Sequence, residues 1–207
     1  DSPFRSRFAY DEFLANQLSL ALARHKQKKK GGRIFETKGA YRTKLERALP
    51  FTLTHAQNVV LSEIDADMAA SLKMMRLIQG DVGSGKTVVA ALAMMNALDS
   101  GAQAALMAPT EILARQHMET LSPMLEPLGI QPVLLTGRLT AKEKQAVYEK
   151  IASGQVRLVI GTHALFQAKV DFADLGVAII DEQHRFGVHQ RILLSSKGKG
   201  TDVLVMT

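Results

Sequence analysis

Met74-Met75-Arg76-Leu77-Ile78-Gln79-Gly80-Asp81-Val82-Gly83-Ser84-Gly85-Lys86-Thr87 is the stretch that decides the fold. MMRLIQ reads as a short strand. A glycine-rich turn follows, and a helical pattern then runs over about residues 86–98. The turn fits G-x-x-x-x-G-K-[ST]. Its glycines let the backbone fold so that several N–H groups converge on one anion. The helix that follows points its positive end at the same place. In such a loop the Lys86 ammonium reaches the β- and γ-phosphates, and the Thr87 hydroxyl ligates Mg²⁺. A glycine turn matching by chance in a chain this long has a probability on the order of one per cent. The strand before and the helix after make chance a poorer account still. The candidate nucleotide-binding residues are Gly80, Asp81, Val82, Gly83, Ser84, Gly85, Lys86, Thr87 and Val88, with ATP and Mg²⁺ as the cofactors.

Working outward, the same alternation repeats. Strands are expected at 74–79, 103–108, 132–136, 156–161, 176–180 and 202–206. Helices are expected at about 86–98, 111–127 and 140–152. Elements alternating at this length imply crossover units and an α/β fold: a mostly parallel sheet with helices on both faces. Ligands then bind beyond the carboxyl ends of the strands. Upstream, Thr54-His55-Ala56-Gln57 reads as a capping box opening a helix to about residue 71. Residues 50–53 are extended, since Pro50 disfavours helix at Leu49. A helix over 11–26 is expected from Leu14, Leu18, Ala21 and Leu22 on one face. Lys28-Lys29-Lys30-Gly31-Gly32 breaks it, and a short helix covers 41–48.

Composition bounds the function. No apolar run approaches the roughly 18–20 residues of a spanning helix, and no signal peptide is visible. There is no cysteine, which excludes disulfides and thiolate metal sites and fits a reducing cytoplasm. The start at Asp1 reads as that of a piece of a longer chain. The net charge of +6 is uneven: residues 1–50 hold 12 Lys/Arg against 5 Asp/Glu, and residues 51–207 hold 14 against 15. The basic first quarter suits contact with a phosphate backbone, although a solvated helix with a lysine-rich loop accounts for it equally well.

A second strand end carries chemistry. Gly176-Val177-Ala178-Ile179-Ile180 stops on Asp181-Glu182-Gln183-His184. Taken alone this is a hydrophilic turn. Beside a phosphate loop, the first acid can hold Mg²⁺ and the second can polarise the water that attacks the γ-phosphate. Asp181 is the candidate metal ligand with Thr87, and Glu182 the candidate base. Gln183 and His184 extend the site with groups that can hydrogen-bond toward nucleotide or toward residues on nucleic acid.

These motifs together resemble superfamily 2 helicases, in which Asp181-Glu182-Gln183-His184 stands at the D-E-x-x box. DEQHRFGVHQR, GDVGSGKT and LPFTLTHAQ (49–57) are similar to the RecG family of bacterial ATP-dependent DNA helicases, which remodel stalled forks and Holliday junctions in recombination and repair. Transcription-repair coupling translocases look similar here, and an RNA helicase or a nucleotide-gated DNA-binding module are the other readings. The resemblance implies a first RecA-like domain over 49–207, preceded by a helical basic linker over 1–48. It implies that Thr207 opens a further motif, and that a second RecA-like domain with its arginine finger and a wedge domain lie outside the chain. The chain alone is then nearly inactive. Pro109-Thr110, Thr136-Gly137 and Gly161-Thr162-His163 are implied as DNA-contacting elements that meet the backbone without sequence readout. Each is an ordinary turn or cap when taken alone. Gln57 is implied to read the adenine edge and Phe51 to pack near the base, while Gln57 also completes the capping box. The implied setting is the bacterial cytoplasm, with no membrane.

Overall fold

The structure is a computed structural model and describes residues 31–181 and 200–207. The expected helix over 11–26, Lys28–Lys30 of the basic loop, and Glu182, Gln183 and His184 lie outside the described residues. In chain order the elements are α1 (Ala40–Ala48), α2 (His55–Met68), β1 (Met75–Ile78), α3 (Lys86–Asp99), β2 (Gln103–Met107), α4 (Glu111–Leu125), β3 (Val133–Leu135), α5 (Ala141–Ala152), β4 (Leu158–Gly161), β5 (Leu175–Asp181) and β6 (Asp202–Met206). Short 3₁₀ turns cover Glu126–Leu128 and His163–Phe166. The six strands form one parallel sheet in the order β1-β6-β5-β2-β4-β3.

All six expected strands are present, with ends displaced by up to two residues. Asp181 is itself the last residue of β5. The helix after Thr54 stops at Met68, before residue 71. Hydroxyl caps start three helices: Thr54 with Gln57 on α2, Thr110 on α4, and Thr140 with Glu143 on α5. Each satisfies backbone donors that the first helical turn leaves unpaired.

Strand alternation splits the core in two. Ala104, Leu106, Ile160, Val177, Ile179 and Leu204 face one side, where α3 lies with α2 and α4. Ala105, Met107, Val159, Ala178, Ile180 and Val203 face the other, under Ile151 of α5 and Leu165. Helix α3 is buried at every position from Val88 to Leu98. A helix buried all round is a central one: α1 and α2 pack against it, as do strands β2 and β5. Residues 31–48 are part of this packing, since Phe35 and Leu45 belong to the same core. A polar clamp fixes α1. The Asp99 carboxylate accepts from the backbone N–H groups of Tyr41 and Arg42 at 2.7 and 3.0 Å. Asn96 donates to Asp65 at 2.7 Å, and buried Arg42 sits 3.7 Å from the same Asp65 oxygen.

Asp202 begins β6 fully buried. Its Oδ1 accepts from Met74 N at 2.8 Å, pinning the start of edge strand β1. Burial pushes its pKa up from 3.8 to about 7; the Met74 N–H lowers it, Asp67 raises it and Lys73 lowers it. A carboxyl raised on folding is protonated in the folded chain when the unfolded chain has already lost its proton. Its stabilising contribution is therefore complete below about pH 4 and is lost as pH rises through about 7. Asp202→Asn, which mimics the protonated acid, is expected to stabilise the protein at pH 8 by a few kcal/mol, on the order that a shift of this size implies. The gain should shrink at pH 5.5. Urea midpoints at the two pH values check this; an equal gain at both would contradict it.

Candidate functional site

Strand register brings the candidate residues to one edge of the sheet. Ile78 of β1 and Asp181 of β5 both align with Met206 of β6. They stand level, two strand spacings or roughly 10 Å apart. Met107 aligns with both Ile180 and Gly161, and Gly161 with Leu135. The segments that follow β1, β2, β3 and β4 therefore emerge beside Asp181 along a single carboxyl edge.

The loop after β1 is built as its glycines require. Gly83 and Gly85 have φ of +83° and +82°, a region costly for other residues. Ser84 N donates to Asp81 O at 3.1 Å. Gly80 N donates to Thr207 O at 3.2 Å, which ties the loop to the end of β6. Lys86 Nζ donates to the carbonyls of Gly80 and Asp81, the second at 2.8 Å. An ammonium has three donors, so one remains for an anion. Thr87 is half-buried at the first turn of α3, while Val82 is fully exposed at the loop tip. Val88 belongs to the core, and its N–H is taken by Gly85 O at 3.0 Å.

Gln57 is the hinge between two motifs. Its Oε1 accepts from Thr54 N at 2.8 Å, completing the cap of α2. Its Nε2 donates to Ser84 O at 2.9 Å, inside the phosphate loop. A Cβ at Gly85 would lie 2.3 Å from Nε2, so a side chain there would displace the Gln57 amide, and the positive φ already favours glycine. The amide keeps one acceptor site and one N–H free of these bonds, the pair that a glutamine presents to adenine N6 and N7. Phe51, half exposed, lines a cavity of about 530 Å³ with Arg47, Leu49, Thr52 and Asn58. Gln57 is not among the residues lining it.

The expected DNA-contacting elements divide. Gly137 and His163 are exposed, and Pro109 and Thr110 are partly so. Thr110 spends its hydroxyl capping α4, accepting from Leu113 N at 3.2 Å. The hydroxyls of Thr136 and Thr162 are buried, without a partner among the described residues. Gly161 is buried within β4. At Thr136, Thr162 and Gly161 the structure thus places interior groups, because the strand ends are packed by Leu135 and Leu165 of the second core. Among the described candidate residues, exposed surface lies at the loop tips.

Two contacts go beyond what the sequence motifs predict. His117 of α4 meets Asp181 of β5, with Nε2 and Oδ2 2.7 Å apart. The available signal was its place on the buried stripe of α4, between Ala114 and Leu121 at helical spacing. Glu111 bridges the segments after β2 and β3: its carboxylate accepts from Arg138 N at 3.1 Å and pairs with Arg138 Nε at 3.0 Å. Among the described residues no cluster of three His, Asp or Glu could hold a metal. Mg²⁺ in nucleotide sites is held by one or two protein oxygens plus phosphate and water, and Thr87 and Asp181 suit that donor set. Among the described residues no helix is long and apolar enough to cross a membrane.

Comparison with known proteins agrees with this geometry. ATP-dependent DNA helicase RecG of Haemophilus influenzae is 47% identical over 197 residues, covering 95% of this chain and 28% of the relative. RecG of Bacillus subtilis is 46% identical over 206 residues, covering 98% of the chain and 30% of the relative. The chain thus spans under a third of the length of these relatives. A structure of RecG bound to a three-way DNA junction superimposes with a TM-score of 0.81 at 43% identity, over 98% of this chain and 27% of that one. A DUF1998 helicase, MrfA, bound to DNA and AMPPNP shares the fold at a TM-score of 0.62 and 18% identity, over 84% of this chain and 27% of that one. The DEAD/DEAH box helicase family model matches residues 47–201, and the chain belongs to that family.

Proposed function

We propose that this chain is the ATP-binding motor domain of a RecG-type DNA helicase, one that remodels branched DNA such as stalled forks and Holliday junctions in recombination and repair. The observation that carries it is the single carboxyl edge. The phosphate loop and Asp181 stand level there, and the partly exposed Thr110 and the exposed Gly137 and His163 lie along the same edge. The RecG structure that this chain matches is itself bound to a three-way DNA junction.

In this reading the N–H groups of Gly83, Gly85, Lys86 and Thr87 and the Lys86 ammonium cradle the phosphates. Gln57 reads the adenine edge with its remaining donor and acceptor, and Phe51 packs near the base. Thr87 and Asp181 hold Mg²⁺. The ion, when bound, neutralises charge on the phosphates and polarises the γ-phosphoryl group. Glu182 takes the proton of the attacking water, with Gln183 and His184 linking nucleotide to nucleic acid. The loop tips contact the DNA backbone through N–H groups, without reading sequence. A second RecA-like domain supplies an arginine finger, worth about 10³–10⁵ in rate in phosphoryl transfer, and a wedge domain engages the branch. The magnesium ion and a cytoplasmic setting belong to the same proposal.

The test is an exchange. Replacing the matching segment of Bacillus subtilis RecG with these 207 residues is expected to keep an ATPase that three-way junctions stimulate more than plain duplex or RNA. Stimulation by RNA as strong as by junctions would favour another superfamily 2 activity. The 207-residue chain alone should bind ATP yet turn it over slowly with every activator. Junction-stimulated turnover by the chain alone at the exchanged helicase's rate would sink the role given to a second domain.

A further inference from the structure

Register fixes the backbone of Asp181 through its partner Met206, but not its carboxylate. A free aspartate spreads its oxygens over several rotamers, whereas a metal ligand works best with one. Here one oxygen is held. His117 Nε2 lies 2.7 Å from Asp181 Oδ2, and the side chains are only 11% and 15% exposed. An ionised carboxylate only accepts hydrogen bonds, so Nε2 carries the proton. The helix that carries the imidazole is well anchored. Ala114 and Leu121, about one turn to either side on α4, are fully buried, and the Thr110 hydroxyl caps the helix start. The contact takes up Oδ2, and among the described residues Oδ1 has no partner and is the oxygen available to turn to the phosphate loop.

We propose that His117 is a positioning residue: it holds the Asp181 carboxylate in the rotamer that presents Oδ1 to the magnesium ion of the bound nucleotide. This rests on the reading of Asp181 as the metal ligand. Hydrogen-bond partners of ligating carboxylates commonly set metal affinity by about 10- to 100-fold.

The experiment titrates Mg²⁺ against the binding of a fluorescent ADP to the 207-residue chain, with a parallel measurement in EDTA. His117→Leu is expected to raise the half-saturating Mg²⁺ concentration by about 10- to 100-fold. Affinity in EDTA, carried by the phosphate loop, should be unchanged. His117→Gln, which keeps an N–H donor, should recover much of the Mg²⁺ dependence. In an Asp181→Ala background neither His117 substitution should add a further loss, as a double-mutant cycle requires of one shared interaction. Wild-type Mg²⁺ dependence in His117→Leu overturns the proposal. So does an equal loss in EDTA, which would report a displaced helix instead of a released carboxylate. Should His117→Leu fail to fold, His117→Gln decides: a loss persisting undiminished on Asp181→Ala overturns it. If Asp181→Ala leaves Mg²⁺ dependence untouched, the metal-ligand reading falls and takes the positioning role with it. Absence of all ADP binding by the unsubstituted chain would instead remove the nucleotide-site reading.

Discussion

Lys86→Ala is expected to weaken ATP binding by on the order of 2–5 kcal/mol, the usual loss when one partner of a hydrogen-bonded charge pair is truncated. The Lys86 ammonium donates to Gly80 O and Asp81 O and keeps one N–H for phosphate. Its position over the loop depends on Gly80 and on the 83–85 turn, neither of which needs the lysine to form. The substitution should therefore leave thermal stability nearly unchanged while removing the nucleotide-induced rise in melting temperature. Lys86→Arg is not expected to rescue, because a planar guanidinium cannot replace a compact ammonium in so tight a loop. Calorimetric titration with ATP is the check. Near-wild-type affinity in Lys86→Ala would remove the phosphate-binding role from this loop.

The second large effect is structural. Gly161→Ala is expected to destabilise the fold by roughly 3 kcal/mol, at the upper end for overpacking. A Cβ there would lie 2.2 Å from Leu135 O and 3.1 Å from Leu165 Cγ. The first obstacle is a backbone carbonyl, which cannot rotate aside as a side chain can. Strand β3 would have to move off β4, breaking the Thr162 N to Leu135 O bond of 3.2 Å. Urea unfolding of the purified variant measures the loss. A change below the few tenths typical of surface sites would show that the strands yield more easily than their packing indicates. Gly161 also shows how a motif reading and a packing reading differ. The resemblance placed Gly161 among DNA contacts, while its local surroundings already account for a glycine there.

Much of the fold was legible because its signals are local. Strand runs such as VAII report burial on both faces, helical spacing in residues 141–152 reports one inward side, and Thr54, Thr110 and Thr140 mark starts through bonds made within one turn. The phosphate loop is equally local: eight consecutive residues supply the turn, the amides and the cation. Element ends were less legible. Asp181 is polar yet belongs to β5, because its backbone pairs with Met206 whatever its side chain prefers. The buried hydroxyls of Thr136 and Thr162 were not foreseen either, since burial is set by neighbours far along the chain.

By itself, then, the sequence determined the α/β alternation, the six strands, the glycine-rich turn between β1 and α3, and the family. Each depends on neighbours within a turn or a strand, or on an ordered set of motifs. Strand order, and with it the placing of Ile78, Asp181, Met107 and Gly161 along one edge, was decided only by the tertiary structure. So was the docking of residues 31–48 through Asp99 and Asp65. The sharpest case is His117. It lies 64 residues from Asp181 on a helix whose spacing predicts only that one side faces inward. Which acid it meets there depends on the chain passing from β2 over the sheet and returning through β5, a relation between distant residues that no local pattern encodes.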